Sequence, residues 1–209
     1  MNRKTRGGHK PQFGCKGRDM STEHGDLLQH LESNLGVIAE GWSNVEDPAN
    51  PSFQIVRFEN QPMKGASTFT TLGLSGVILT QSNDTLIREE LIFCCNNKFI
   101  DWGISELLAT VGDELLSTEQ AFMRGQVLGP AGPLFNNSSL EALYCARPVY
   151  FPEALHEYTS TNPITSLLWL IPITSAEAVY IESEGWSRFE DILVEKDADL
   201  LDLQRESLV

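Results

Sequence analysis

Four histidines and four cysteines in 209 residues leave little material for metal sites or nucleophilic chemistry. Cys15, Cys94, Cys95 and Cys145 form no C-x-x-C pair, which argues against a zinc site or a disulfide framework. Buried, reduced thiols in a cytoplasmic protein are the plainer reading, and neither a metal nor a cofactor is expected. Long hydrophobic runs are also missing. No window approaches the ~18 consecutive apolar residues of a membrane-spanning helix. The most apolar run, LLWLIPI (167–173), has the length of a strand. No apolar segment follows the basic N-terminus, so no secretory signal is expected. The third scarcity is positive charge: 15 Lys and Arg stand against 29 Asp and Glu. The first 20 residues take six of the 15 and only one acid, Asp19. The rest of the chain is therefore strongly acidic, and phosphate would be repelled from it. Nucleic acid and membrane are excluded as expected partners; a protein with a basic face is not.

What is present is enough apolar residue, 41 %, for a sizeable core in one domain. Residues 1–24 are basic and Gly-rich without apolar periodicity and read as a disordered extension. Residues 25–209 read as the folded domain. Within it, STFTTLGLSG (67–76) ends in a serine flanked by glycines. A nucleophile elbow requires Gly-x-Ser-x-Gly, but the order here is Gly73-Leu74-Ser75-Gly76-Val77. The second glycine is one place early. His156 is the one histidine downstream. A serine hydrolase using Ser75 and His156 is the alternative to a strand with a tight exit.

Leu28, Leu31, Leu35 and Ile38 share a helical stripe, and Asp26-x-x-Gln29 resembles a capping box, so a helix is expected over Leu27–Glu40. SFQIVRFEN, STFTTLG and TLIREELIFCC read as strands. The clearest helix carries Ile104, Leu107, Leu108, Val111, Leu115 and Leu116 inward. Asp101 is placed to cap it, and Glu106, Asp113 and Glu114 lie outward. LEALYCARP is a further strand. LLWLIPI is apolar at every alternation, which places it in the sheet centre. Thr174-x-x-Glu177 forms a second capping box whose helix stops at Gly185. Ser187-x-x-Glu190 starts another, with Trp186, Phe189, Ile192 and Leu193 as its apolar side. The fold class is α/β (α+β): a mixed sheet packed by helices.

In order, TTLGLSG, REELIF, DWGISELLATVGDELL, FMRGQVLG, LLWLIPITSAEAVYIESEGWSRFEDIL and DLLDLQRESLV resemble the suppressor of fused domain family, across roughly residues 67–208. The resemblance implies a single mixed α/β domain of the short bacterial type. It also implies a protein-binding role rather than an activity. Stand-alone domains of this kind are associated with polymorphic toxin systems as immunity proteins. In animal members the binding face has a tyrosine in the helix and an aspartate just after the turn glycine. Those places hold Glu114 and Gln126 here. The family attaches no catalytic role to the serine at Ser75.

Two classes of function follow. One is a non-enzymatic binding module, an immunity-type inhibitor or negative regulator, contacting its partner through Trp102, Glu106, Asp113, Glu114 and Gln126. The other is the Ser75–His156 hydrolase. An accessory domain of a signalling assembly is a third reading. For the carboxylates, ordinary solvation competes with a binding role. For Trp102, the competitor is packing beneath the helix.

Overall fold

Runs of β-branched and aromatic residues become strands, and the one long 3.6-residue periodicity becomes a helix on the sheet they form. A computed structural model describes residues 20–43 and 53–209. The elements in chain order are α1 (Met20–Leu35), β1 (Ile38–Ser43), β2 (Gln54–Glu59), β3 (Ala66–Leu72), β4 (Leu79–Thr80), β5 (Leu86–Asn96) and α2 (Ile104–Thr118). After them come β6 (Val127–Leu128), β7 (Leu140–Ala146), α3 (Glu153–His156), β8 (Glu157–Tyr158), β9 (Thr165–Thr174), α4 (Ser175–Glu184) and α5 (Trp186–Glu195). Among the described residues the nine strands form one sheet in the order β1-β2-β3-β5-β9-β7-β6, with β4 paired to β5 and β8 to β9. Only the β5–β9 pair is parallel. The sheet is therefore mixed, and LLWLIPI lies inside it as expected.

Period-2 alternation feeds two cores, one on each face. On β9, Leu167, Trp169, Ile171 and Ile173 enter one core, while Leu168 and Leu170 enter the other. On β7 a register irregularity between Leu140 and Ala142 lets these two residues, two apart, serve opposite cores. Helices α1, α4 and α5 cover the first core with Leu31, Ile181 and Phe189. Helix α2 covers the second with Ile104, Leu108, Val111 and Leu115. Burying each such side chain contributes about 1.5–3 kcal/mol. Gly112 of α2 is the point of closest approach: a Cβ there would sit 2.6 Å from Phe53 Cζ. Described cysteines Cys94, Cys95 and Cys145 are buried and free. Burial pushes their thiols up, Cys95 to about 12, so they are packing residues rather than nucleophiles.

Four boundaries differ from the sequence reading. Helix α1 occupies Met20–Leu35 rather than Leu27–Glu40. It therefore takes in residues 20–24, assigned above to the extension, and Asp26 lies inside it rather than at its cap. Gly36, at φ +87°, donates its N–H back to Glu32 and ends the helix, so Ile38 starts a strand. Asp101 does not cap α2, whose N-cap is Gly103 at φ 80° with no side-chain bond. Ser187 does not cap α5, because Gly185 serves as C-cap of α4 and N-cap of α5 together. The capping box at Thr174 and Glu177 is present in both directions. Residues 1–19, the bulk of the basic extension, lie outside the described residues.

Candidate partner-binding surface

Ser75 sits in a one-turn 3-10 helix, Leu74–Gly76, entered through Gly73 at φ 105°. The turn closes around a buried carboxyl. Glu90 accepts from Ser75 Oγ at 2.7 Å, Ser75 N at 3.0 Å and Gly73 N at 2.9 Å on one oxygen, and from Thr71 Oγ1 at 2.5 Å on the other. Arg88 Nη1 donates to Ser75 O at 2.6 Å. The Ser75 hydroxyl thus spends its hydrogen on Glu90 inside the protein, and His156 Nε2 has no partner among the described residues. A nucleophile needs its base within hydrogen-bond reach and a route for substrate. Its partner is Glu90, not His156, and burial pushes that carboxyl up, which makes it a poor base. The serine itself is buried, and its hydroxyl holds the turn.

The residues singled out for binding fall in two places. Glu106, Asp113 and Glu114 are exposed on α2. At spacings of seven and eight they share one face of the helix. Ser105 Oγ donates to Glu106 Oε2 at 2.9 Å. Trp102 is half-buried at the entry to α2, edge-on to Phe99 at 4.7 Å and 6.1 Å from Phe135. Gln126 is exposed in the turn before β6, where its side chain accepts from Met123 N at 3.0 Å. Helix α2 packs over β2, β3 and β5, whereas β6 is the far edge of the sheet. The four α2-side residues therefore form one group and Gln126 another.

A third region joins the expected loop contact near residues 125–133 to α5 and to the hollow over Trp169, which the sequence did not indicate. The turn before β6 is fastened to α5 by Arg124, whose guanidinium lies 4.7 Å over the Trp186 ring. The same group donates from Nε to Glu190 Oε1 at 3.1 Å and pairs with Oε2 of that carboxylate. Tyr144 OH donates to Glu190 Oε1 at 2.8 Å, and burial raises its phenol well above the ordinary range. Gly125, at φ +91°, must be glycine: a Cβ would lie 2.5 Å from the Trp186 ring. Beside this fastening is a depression of about 320 Å³ lined by Trp169, Tyr144, Leu193 and Leu200. Val149, Tyr150 and Val194 also line it, and are 65 %, 38 % and 82 % exposed. Trp169 is buried, with its indole N–H unpartnered among the described residues. A second depression, of about 500 Å³, lies beyond the stack, with Trp186, Val179 and Pro130 in its wall. Trp186, which the helical periodicity puts on the apolar side of its helix, is a 38 % exposed wall of this surface instead. No sequence spacing links Arg124, Trp169 and Glu190, so only folding reveals the group. Among the described residues no cluster of three or more His, Cys, Asp or Glu is placed to hold a metal ion, and no helix is long and apolar enough to cross a membrane.

The model of the suppressor of fused protein (SUFU) family matches residues 49–206. The chain belongs to the SUFU family. Its fold is that of a SUFU homologue from Neisseria gonorrhoeae, with a TM-score of 0.73 at 19 % identity over 90 % of this chain and 98 % of that one. It also matches a chain of the Sufu–Fu complex, with a TM-score of 0.64 at 14 % identity over 90 % of this chain and 91 % of the other. In Drosophila Suppressor of Fused it spans 42 % of the chain, and 74 % of its own length is matched, with a TM-score of 0.57 and 14 % identity. In sequence it is 23 % identical to the immunity protein YqcF of Bacillus subtilis over 166 residues, 78 % of this chain and 85 % of that protein. It is thus a bacterial-type SUFU member with distant homology to an immunity protein.

Proposed function

We propose that this chain is a non-enzymatic, stoichiometric inhibitor of a protein partner, of the immunity type, and that the partner is a toxin domain with a basic face. The observation that carries the reading is the apolar depression over Trp169, rimmed by exposed Val149, Tyr150 and Val194. An otherwise acidic, net −14 chain gains nothing in solubility from such a group, and a rimmed apolar hollow is the usual core of a protein interface. Homology to an immunity protein supports the same reading. In it, Glu106, Asp113 and Glu114 contribute to the acidic field that steers the encounter, Gln126 lies at the margin of contact, and Trp102, on the α2 side, stands outside the hollow. Ser75 takes no part.

The test is capture of a partner from the native host, then titration of the purified partner against this chain. Saturation near one equivalent, lost in a Val149→Asp, Val194→Asp double variant that still folds, is the expected result. Hydrolysis of a generic ester that disappears in folded Ser75→Ala would overturn it.

A further inference from the structure

Near the starts of β5 and β9 lies a cleft of about 760 Å³, separate in its floor from the apolar depression but sharing Arg124, Arg147 and Val149 with it. Glu89 of β5 lines it, with Glu153, Glu157 and His156 contributed by α3 and β8. Glu89 is 2 % exposed. Its hydrogen bond is from Phe122 N to Oε2 at 3.0 Å; among the described residues Oε1 receives no donor and no basic side chain is paired with it. A carboxyl this deep is ordinarily paired or fully bonded. Glu90, next in sequence, receives four donors. Burial drives the Glu89 carboxyl up to about 8, offset only by the Phe122 amide. The nearby arginines do not answer it: Arg124 is held by Glu190 and Trp186, and Arg147 is exposed.

We propose that this cleft receives a lysine side chain of the protein partner, its ammonium reaching Glu89 Oε1. The proposal rests on the protein-binding reading above and adds the chemistry of one contact. One carboxylate oxygen is on offer, because Phe122 holds the other. That suits the compact ammonium better than a guanidinium fork, which wants two oxygens in a plane. Ile87, Phe122 and Leu168 in the wall give the four-carbon stem an apolar path. Glu153 and Glu157 add negative charge at the rim. The step balances as a proton exchange: protonated Glu89 releases its proton to solvent as the ammonium arrives, and a carboxylate–ammonium pair remains. Affinity therefore rises with pH up to about 8, by at most tenfold per unit, and falls again when the amine deprotonates near ~10.4. His156, Arg124, Arg147, Glu153 and Glu157 face the same space, and Cys145, whose thiol Glu89 helps to raise, stands behind it.

The test uses the full chain and the capped peptide acetyl-Ala-Lys-Ala-amide, followed by the Phe122 amide resonance between pH 7 and 8.5. A saturable shift is expected, tightening severalfold over that range and unaffected in slope by His156→Gln. The same peptide acetylated on its lysine should give no shift. Glu89→Gln keeps an acceptor for Phe122, and should weaken binding by about thirtyfold or more. No saturable shift, or equal binding by the acetylated peptide or by Glu89→Gln, overturns the lysine site. Host-partner capture separates the two claims. A partner that binds Glu89→Gln as tightly as wild type sinks the lysine contact and leaves the inhibitor reading intact. Peptide saturation without any captured partner does the reverse.

Discussion

Adjacent carboxyls on one strand have opposite circumstances. Glu90 receives four donors and organises the Ser75 turn; Glu89 receives one, from Phe122. The difference makes a measurable consequence at Glu89. Its folded-state value, about 8, lies above the ordinary 4.5. Between those values the folded chain holds a proton that the unfolded chain has lost. Stability from this group is thus present below pH 4.5 and is lost as pH rises toward 8. Wild type should lose ground to Glu89→Gln across that window in parallel thermal melts. Glu90 is common to both proteins and cancels in the difference; a difference that stays flat with pH would show Glu89 ionising normally. Asp101 and Trp102 make a second contrast. Asp101 caps nothing, so Asp101→Ala should shift stability by no more than about 0.5 kcal/mol. Trp102 packs against Phe99 and Phe135. Trp102→Ala should cost roughly 3 kcal/mol, the low end for an aromatic deletion because the ring is only half-buried. Urea unfolding of the two variants checks both; comparable losses would mean Asp101 has a role the geometry lacks.

At the scale of elements, legibility followed how local the determinant was. Strand β9 was readable because burial on both faces leaves an unbroken apolar run, and the start of α4 because Thr174 and Glu177 satisfy each other within one turn. Helix α1 was misplaced because Ile38 extends its periodic stripe by chance, while the stop lies in the backbone of Gly36. The two-residue strands β4, β6 and β8 carry too few residues for any period to show. Gly112 was unreadable for a different reason: its partner is Phe53, 59 positions earlier, so the ~1 kcal/mol that a helical glycine costs has no local explanation. The end of the chain is likewise held by a distant partner. Arg205 donates to Glu177 at 2.6 and 2.9 Å and to Pro172 O at 3.0 Å, and Leu208 N adds a bond to Glu177 at 3.1 Å. The carboxylate is fully buried. Arg205→Ala strands that charge and should cost about 3–5 kcal/mol. Arg205→Met with Glu177→Gln should recover part of the loss in the same unfolding experiment; full stability in Arg205→Ala alone would mean the tail is held by Leu200, Leu201 and Leu203 without the pair.

At the scale of the molecule, the sheet divides the core but not the charge, since α4 and α5 also expose Glu182, Glu184, Asp191 and Glu195. Helix α2 presents Glu106, Asp113 and Glu114 on one side, and α4 and α5 flank the apolar depressions on the other. The family was legible from the order of short motifs. The surface was not, since Arg124, Trp169 and Glu190 are neighbours only after β9 is inserted between β5 and β7. Long-range charge and short-range apolar contact make separable contributions to binding: exposed charges set the rate of encounter, and a buried apolar core sets the lifetime of the complex. For this chain, Glu106→Gln, Asp113→Asn and Glu114→Gln together should slow association with a basic partner severalfold and leave dissociation nearly unchanged. Raising salt from 0.05 to 0.5 M should slow wild type more than the triple variant, because the Debye length falls from roughly 14 Å to roughly 4 Å and screens what the variant already lacks. The Val149→Asp, Val194→Asp variant should behave oppositely, with faster dissociation and a wild-type salt slope in association. Stopped-flow association and chase dissociation measure both rates. Equal salt slopes in wild type and the triple variant would remove α2 from the encounter and leave the contact to the depression over Trp169 and the Glu89 cleft beside it.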